Sequence, residues 1–183
     1  MEYFFISQDR KYKNTPAIQD FYEHFSPNLF CLESGGRIPE RNIVYAQSRT
    51  KLDFVDVLSG PVLLVSDLIK RVMEAYDETL EFKMFFILNT LGDQGELYYA
   101  PLLKRIRHVE LSERGRSSVW GYELSQIEQQ PICQISAELL SKGMVVNLEI
   151  AESLLRRGCK GIHYQRMKVK NGRIYCKWSQ DDL

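Results

Sequence analysis

The pattern of apolar and polar positions is clearest where a short apolar run gives way to helical spacing. The run at residues 62–65 stops at Ser66, and apolar side chains then recur on one face of a helix. That predicted face consists of Leu68, Ile69, Val72, Met73 and Tyr76. Ser66 can accept hydrogen bonds from the first free amides, and Asp67 puts negative charge at the positive end of the helix dipole. The pattern predicts a strand, a capping serine and a helix in succession.

The same order recurs towards the end of the chain. Apolar residues 144–146 lead into Asn147 as the cap, and Gly158 follows the last helical turn, where a left-handed residue is needed. The predicted buried stripe consists of Leu148, Ile150, Ala151, Leu154 and Leu155. Asparagine can cap a helix but cannot replace a serine nucleophile, so the repeat favours a structural role for Ser66.

Further strands and one further helix are predicted on either side of these units. Residues 3–7 predict a first strand, and Thr15 with Pro16 predicts the start of a helix that ends at residues 26–27. The apolar face of that helix consists of Ile18, Phe21, Tyr22 and Phe25. Residues 80–88 predict a strand that starts half-exposed and becomes buried on both faces, with a return strand at residues 96–99.

The remaining segments carry weaker patterns. Residues 43–46 are compatible with a strand, and the rest of residues 28–53 shows little pattern. Residues 101–111 fit either a helix or an irregular strand, and we favour the strand because a polar hairpin tip follows at residues 112–118. Asn171-Gly172 between two apolar runs predicts a second hairpin.

Together these elements predict a single α+β domain. We expect a mostly antiparallel, twisted sheet with about three packed helices and the two strand–cap–helix units at its centre. Within the domain, residues 1–55 form an N-terminal lobe, residues 56–166 the core, and residues 167–183 a C-terminal hairpin and tail.

Charge narrows the class of partner. The chain has 24 basic and 24 acidic side chains, so its formal net charge is zero. A dedicated nucleic-acid binder normally carries a basic excess, and a nucleic-acid mimic would carry an acidic one. A protein or small-molecule partner is therefore favoured.

Cysteine usage and the chain start indicate the compartment. The four cysteines show no paired spacing, and the apolar start at residues 1–6 is too short for a secretory signal. The longest apolar run, at residues 61–65, falls far short of the roughly 20 residues that a membrane span needs. These features predict reduced cysteines in a cytoplasmic protein with no membrane contact.

The sequence offers no catalytic or cofactor motif. Cys159 and His163 have a ligand-like spacing, but one lies at a helix end and the other in a strand, without a second pair. We predict no metal, no cofactor and no catalytic residue, hence a protein that is not an enzyme. The alternative of an enzyme of unknown chemistry requires a small-molecule pocket lined by His163, His108 or a cysteine.

One local basic concentration remains, at residues 104–108 with Arg114 and Arg116, close to Trp120 and Tyr122. Basic residues interleaved with aromatics can bind nucleic acid, and such an adaptor would lose affinity steeply with salt. The same residue types dominate protein-interface hot spots, which agrees better with the zero net charge.

Three motifs follow one another between residues 53 and 165. They are Gly-Pro-Val-Leu-Leu-Val-Ser-Asp at residues 60–67, an aromatic strand at residues 82–89, and Gly-Met-Val-Val-Asn at residues 143–147 with a helix and Gly-Cys-Lys-Gly-Ile-His-Tyr at residues 158–164. This order resembles immunity-protein family 11 of bacterial polymorphic toxin systems, first catalogued as a domain of unknown function. Asn147 stands where the family has Ser, and Tyr164 where it has Phe; both replacements keep the physical role. An acid-rich segment of the family is reduced here to Asp93 and Glu96.

The resemblance implies a small cytoplasmic protein that is encoded beside a toxin and neutralises it by binding. It brings no catalytic residues. We expect the cognate toxin as partner and Arg114, Arg116, Trp120 and Tyr122 as partner-binding anchors, because a polar hairpin tip beside exposed aromatics suits docking.

Overall fold

The computed structural model describes residues 2–107, 109–111, 119–136 and 143–176 of the chain. The strands are β1 Tyr3–Gln8, β2 Arg41–Ala46, β3 Val57–Leu58, β4 Leu64–Val65, β5 Phe82–Asn89, β6 Gln94–Pro101, β7 Arg105–Arg107, β8 Val109–Leu111, β9 Val119–Glu123, β10 Ile132–Ser136, β11 Met144–Asn147, β12 Ile162–Arg166, β13 Lys168–Lys170 and β14 Arg173–Cys176. The α-helices are α1 Phe21–His24, α2 Asp67–Tyr76, α3 Leu124–Glu128 and α4 Leu148–Arg156. Short 3-10 turns lie at Pro27–Leu29 and Gly35–Arg37.

These strands form three sheets. Sheet I has the order β12-β1-β11-β10-β7, sheet II the order β2-β5-β6-β4-β3, and sheet III the order β13-β14-β9-β8. Strand pairs β2–β5 and β7–β10 are parallel, and the other pairs of described strands are antiparallel. The predicted α+β class and mostly antiparallel pairing are confirmed. The strands occupy three sheets where one was expected, and two of the helices in the described ranges, α2 and α4, are longer than two turns.

Both predicted strand–cap–helix units are present. Oγ of Ser66 accepts a hydrogen bond from the Ile69 N–H at 3.5 Å, and Oδ1 of Asn147 accepts one from the Ile150 N–H at 3.0 Å. Each cap residue is extended and the residue after it starts the helix, which is the geometry of a side-chain N-cap. The capping role predicted for Ser66 and Asn147 is confirmed.

The two units share one core cluster. Helices α2 and α4 contact each other and pack against strands of sheets I and II. Their buried residues are Ile69, Val72, Met73, Ile150, Ala151 and Leu154, each no more than 2% exposed. The outer members of the predicted stripes, Leu68, Tyr76, Leu148 and Leu155, are exposed, because each stripe is wider than the surface that covers it.

The N-terminal helix differs from its prediction. It was expected to start at Thr15 and Pro16, but α1 comprises only Phe21–His24. Asp20, just before it, has a left-handed φ of 51°, and Ile18 forms an antiparallel bridge with Ala46 at the end of β2. The chain before α1 is therefore tied to the edge of sheet II. Phe21 is buried as predicted, whereas Tyr22 is exposed.

The strand at β5 was found, but its burial was predicted wrongly. Lys83, Phe85, Ile87 and Asn89 form its buried face, whereas Phe86 and Leu88 on the other face are exposed. The return strand β6, the strand β2 and the strand choice for residues 101–111 are confirmed. The hairpin at residues 171–172 is also confirmed, with positive φ at both turn residues, as a two-residue hairpin turn requires.

Candidate partner-binding surface

Sheet II has one face that is largely covered. Its inner face carries Val44, Phe85 and Tyr98, and the N-terminal segments lie over it with Phe21 and Phe30 among their buried residues. The Tyr98 hydroxyl donates a hydrogen bond to the Val55 carbonyl at 2.6 Å, which fixes this layer to the strands. The N-terminal segments therefore complete a core on the inner side of the sheet.

The outer face of sheet II is covered over half its width. Helix α2 lies over the β4 side, where Nζ of Lys70 stands 5.2 Å from the ring centroid of Tyr99 and 5.4 Å from that of Phe82. These cation–π contacts lie where the cover of α2 ends. Beyond them, towards β2, no described residue packs as a layer on the sheet.

The uncovered half carries a row of large apolar side chains. Strand register places Ile43 beside Phe86 and Tyr45 beside Leu88, so the four share one face. Their exposed fractions are 63% for Ile43, 50% for Tyr45, 39% for Phe86 and 37% for Leu88. We call these four residues the bare face. Scattered exposed apolar residues need no explanation, but a contiguous group often marks an interaction site.

The Phe86 ring reaches the neighbouring strand at Gly95. A Cβ atom built on Gly95 would lie 2.7 Å from Cζ of Phe86, so the ring occupies the space that this glycine leaves open. Leu97, directly opposite Phe86 in the register, is half-buried and continues the apolar surface onto β6. On the bare face, the Phe86 side chain therefore packs against the neighbouring strand.

The outer edge of β2 is partly unpaired. The carbonyls of Glu40 and Ala46 accept from Met84 and Thr90 on the β5 side, whereas the Tyr45 carbonyl accepts from the Gln19 N–H at 2.9 Å on the opposite side. Backbone groups alternate along a strand, so those of Arg41 and Ile43 also point away from β5. The described residues provide no hydrogen-bond partner for the backbone of Arg41 or Ile43.

A cavity adjoins this edge. It has a volume of about 330 Å³ and lies between α1 and β2. Its lining includes Phe21, His24 and Phe25 on one side and Ile43 and Tyr45 on the other. This volume is at the lower end of the range of roughly 300–1,000 Å³ for ligand pockets.

Arg41 supplies the charge next to the bare face. It lies beside Met84 of β5, two residues before Ile43 along β2, and on the same face of the sheet. Its side chain is exposed, and it forms no ion pair with any residue in the described ranges. The neighbouring Glu40 is instead paired with the buried Lys83 on the inner face. Arg41 is thus a cation beside an apolar surface, without an ionic partner among the described residues.

Of the four predicted anchors, the structure describes the side chain of Tyr122 alone. Arg114 and Arg116 are outside the described residues, and Trp120 is in β9, with its side chain also outside them. Tyr122 is fully buried, so the prediction that it is an exposed aromatic is wrong. Tyr122 lies opposite Ile174 in the β9–β14 pair, and its side chain belongs to the core cluster that also contains Met167.

The basic segment is partly used within the fold. Nε of Arg105 donates to Oε1 of Gln134 at 3.2 Å, and its Nη2 donates to the carbonyls of Pro27 and Phe30 at 3.0 and 3.3 Å. This guanidinium therefore holds the N-terminal turn against sheet I. His108 lies outside the described residues.

A polar cluster lies between the two capped helices. Oδ1 of Asp56 accepts from the Ser66 hydroxyl at 2.5 Å, and its Oδ2 accepts from the Lys160 N–H, also at 2.5 Å. Burial, and to a smaller extent Asp56, raises the pKa of the nearby Cys159 thiol to about 11. Burial raises the pKa of Cys133 to about 12. Both thiols are protonated at neutral pH, which is the state of structural cysteines.

No three His, Cys, Asp or Glu side chains among the described residues are grouped as a metal site requires. None of the helices in the described ranges combines the length and apolar character needed to cross a membrane.

Comparison with known proteins returns neither a matching family model nor a matching curated sequence.

Strand β2 carries a local sequence signal for the bare face. In β2, exposed Arg41, Ile43 and Tyr45 alternate with buried Asn42 and Val44, which is the period-two pattern of a strand with one covered face. Because apolar and charged residues share the exposed set, polarity alone did not distinguish the two faces. The exposed state of Phe86 had no such signal.

Proposed function

We propose that this protein is an immunity-type binding protein, which neutralises a toxin by docking onto it through the bare face. The cytoplasm is its proposed site of action, where it would protect the cell that produces the toxin. The observation that carries the proposal is the contiguous apolar surface of Ile43, Tyr45, Phe86 and Leu88.

Several features support a binding role over a purely structural one for this surface. Burial of large apolar side chains dominates the free energy of protein association, and aromatic residues are enriched among interface hot spots. The bare face has two aromatic rings, one of them fixed over Gly95. The motif order that resembles the immunity family supplies the class of partner, a co-encoded toxin.

The proposal is tested by co-expression with the protein encoded beside its gene. A stoichiometric complex on size-exclusion chromatography and protection of the host cell are the expected results. Failure of the chain to bind this neighbour or to protect the cell would contradict the proposed function.

Surface variants then locate the interface. Phe86→Ser and Leu88→Ser should keep the fold, because both side chains are exposed, but raise the Kd of the complex at least about tenfold each. Leu155→Ser is the matched control, since Leu155 is 60% exposed on α4, away from sheet II. If the complex forms but all three variants bind equally, the function stands and the bare face is not the interface.

A further inference from the structure

We infer that the partner supplies an extended segment that adds as a strand to the outer edge of β2, with an acidic side chain opposite Arg41 and an apolar one opposite Ile43. This inference rests on the proposed function, since it describes how the partner would dock. It names a binding mode, β-augmentation, and a sequence pattern on the partner.

Backbone geometry makes this edge a receptor for a strand. The N–H and C=O groups of Arg41 and Ile43 point away from β5, as the Gln19 hydrogen bond to Tyr45 shows for their neighbour. Unpaired edge strands are normally protected by covering segments, charges or proline. Here the covering segment protects only one end, through the Ile18–Ala46 bridge. None of the described residues pairs with the outward backbone groups of Arg41 and Ile43.

Side chains of an added strand would find complementary surroundings on both faces. On the outer face they would stand beside Arg41 and Ile43, in the same row as Phe86. On the inner face they would point towards the α1 side, where the cavity of about 330 Å³ adjoins the edge. Main-chain hydrogen bonds would provide affinity, and these alternate contacts would provide specificity.

A second copy of this chain fits the edge less well than a different partner. Gln19 occupies the edge at Tyr45, so a two-fold antiparallel pairing of β2 with itself centres on Asn42 or on Arg41. The first register makes the two Arg41 side chains diagonal neighbours on one face, and the second sets them directly opposite each other. The like charges would repel. An acidic residue on a different chain turns the same position into an attraction.

The partner pattern follows from the register. Arg41 and Ile43 are two residues apart on β2, so the partner residues that face them must also be two apart on the added strand. The partner should therefore carry an acidic and an apolar residue at positions i and i+2. Their order depends on whether the added strand runs parallel or antiparallel to β2. A library of random decapeptides displayed on phage and selected on the full chain tests this without knowledge of the natural partner. The expected result is enrichment of peptides with that acidic–apolar spacing.

Two variants distinguish edge pairing from simple hydrophobic adhesion. Ile43→Pro removes an outward N–H that β5 does not use, so the fold should survive while the enriched peptide binds at least tenfold more weakly. Ile43→Thr is the matched control, because it keeps the N–H and the branched Cβ and should weaken binding less. Arg41→Glu should abolish the preference for an acidic residue.

A backbone change in the peptide covers the case in which Ile43→Pro does not fold. N-methylation of the peptide amide that faces the Ile43 carbonyl should weaken binding to the unaltered protein by a similar factor. The inference is overturned if no peptide with the predicted spacing is enriched. It is also overturned if the N-methylated peptide binds the unaltered protein, or the unmodified peptide binds the Ile43→Pro variant, as tightly as the unmodified peptide binds the unaltered protein.

The outcomes separate this inference from the proposed function. If the Ile43→Pro variant neutralises the co-encoded toxin as well as the unaltered protein does, the proposed function stands and strand addition is ruled out. A protein that binds the selected peptides at β2 but neither binds nor neutralises that toxin keeps the mode and loses the function.

Discussion

Ser66 combines two structural roles in one hydroxyl. Its oxygen caps α2 by accepting from the Ile69 N–H, and its hydrogen is donated to Asp56. Asp56 in turn accepts from the Lys160 N–H, which ties the start of α2 to the loop after α4. The sequence predicted the cap, because capping is local. It could not predict Asp56 and Lys160, which are far apart along the chain and meet only in the folded protein.

The double role predicts unequal costs for the two caps. Asn147→Ala removes one cap and should reduce the free energy of unfolding by about 1 kcal/mol. Ser66→Ala also removes the donor to a carboxylate and should cost about 2–3 kcal/mol in total. Urea denaturation of the two variants measures the difference.

A double-mutant cycle between Ser66→Ala and Asp56→Ala provides the control for the cap prediction. The pair should be coupled by roughly 0.5–2 kcal/mol, because the two side chains share a hydrogen bond. Equal losses for Ser66→Ala and Asn147→Ala, with no coupling to Asp56, would show that the link contributes nothing.

Residue identity alone left exposure open at the positions that matter for binding. Tyr122 and Phe86 are both aromatic residues in strands, yet the first is buried and the second is 39% exposed. Tyr122 faces Ile174 inside a closed cluster, whereas Phe86 lies on the part of sheet II that α2 does not reach. Only the arrangement of the neighbouring layers distinguishes these two environments.

At the scale of elements, the sequence predicted best where local chemistry decides the structure. Both capped helices and the hairpin at residues 171–172 were found, since caps and turn residues act on adjacent backbone groups. The helix predicted to start at Thr15 does not form there, because Ile18 and Gln19 pair with β2 instead. A tertiary contact there overrides a favourable N-terminal signal.

The segment after α4 contains two glycines that share a conformation but differ in surroundings. Gly158 and Gly161 have φ values of 68° and 70°. A Cβ on Gly158 would meet no atom within 4 Å, whereas one on Gly161 would lie 2.4 Å from Cβ of Val55. The first glycine is needed for its backbone conformation, and the second also for its close approach to a core residue.

This contrast predicts a ranked effect of alanine. Gly158→Ala should cost about 1–2 kcal/mol of unfolding free energy, the usual cost of a left-handed non-glycine residue. Gly161→Ala should cost about 3 kcal/mol or more, because the clash is added to the same backbone strain. Thermal and urea unfolding of both variants test the ranking, with Gly158→Asn as a control that should restore part of the loss. Equal costs would contradict the predicted clash.

At the scale of the whole molecule, the α+β class followed from the elements, but the number of sheets did not. Strand β1 pairs with both β11 and β12, so the N-terminus completes a sheet made mainly by the second half of the chain. Such pairings depend on long-range fit, which no local pattern encodes. The bare face has the same origin, since it exists only because α2 covers half of sheet II. Sequence patterns alone therefore could not indicate this surface.

The buried ionisable groups predict how the whole fold responds to alkaline pH. Burial raises the pKa of Cys159 to about 11 and of Cys133 to about 12, and it also raises the pKa of Tyr98 and Tyr164 above that of a free tyrosine. In the unfolded chain the thiols lose their protons near pH 8.5 and the phenols near pH 10. The native state then holds more protons than the unfolded state, so the free energy of unfolding must fall as pH rises.

Stability should thus be level around pH 7 to about pH 8 and decline from about pH 9 towards pH 11, as the unfolded state releases protons that the fold retains. Urea denaturation at constant ionic strength across this range measures the slope. Cys159→Ala removes one of these titrating groups and should make the decline between about pH 9 and pH 11 shallower, whatever its effect at neutral pH. Leu155→Ser, a surface change without a titrating group, should leave the slope unchanged. A stability that stays constant up to pH 11 would show that folding does not raise the pKa values of these groups. An unaltered slope in Cys159→Ala would show the same for Cys159.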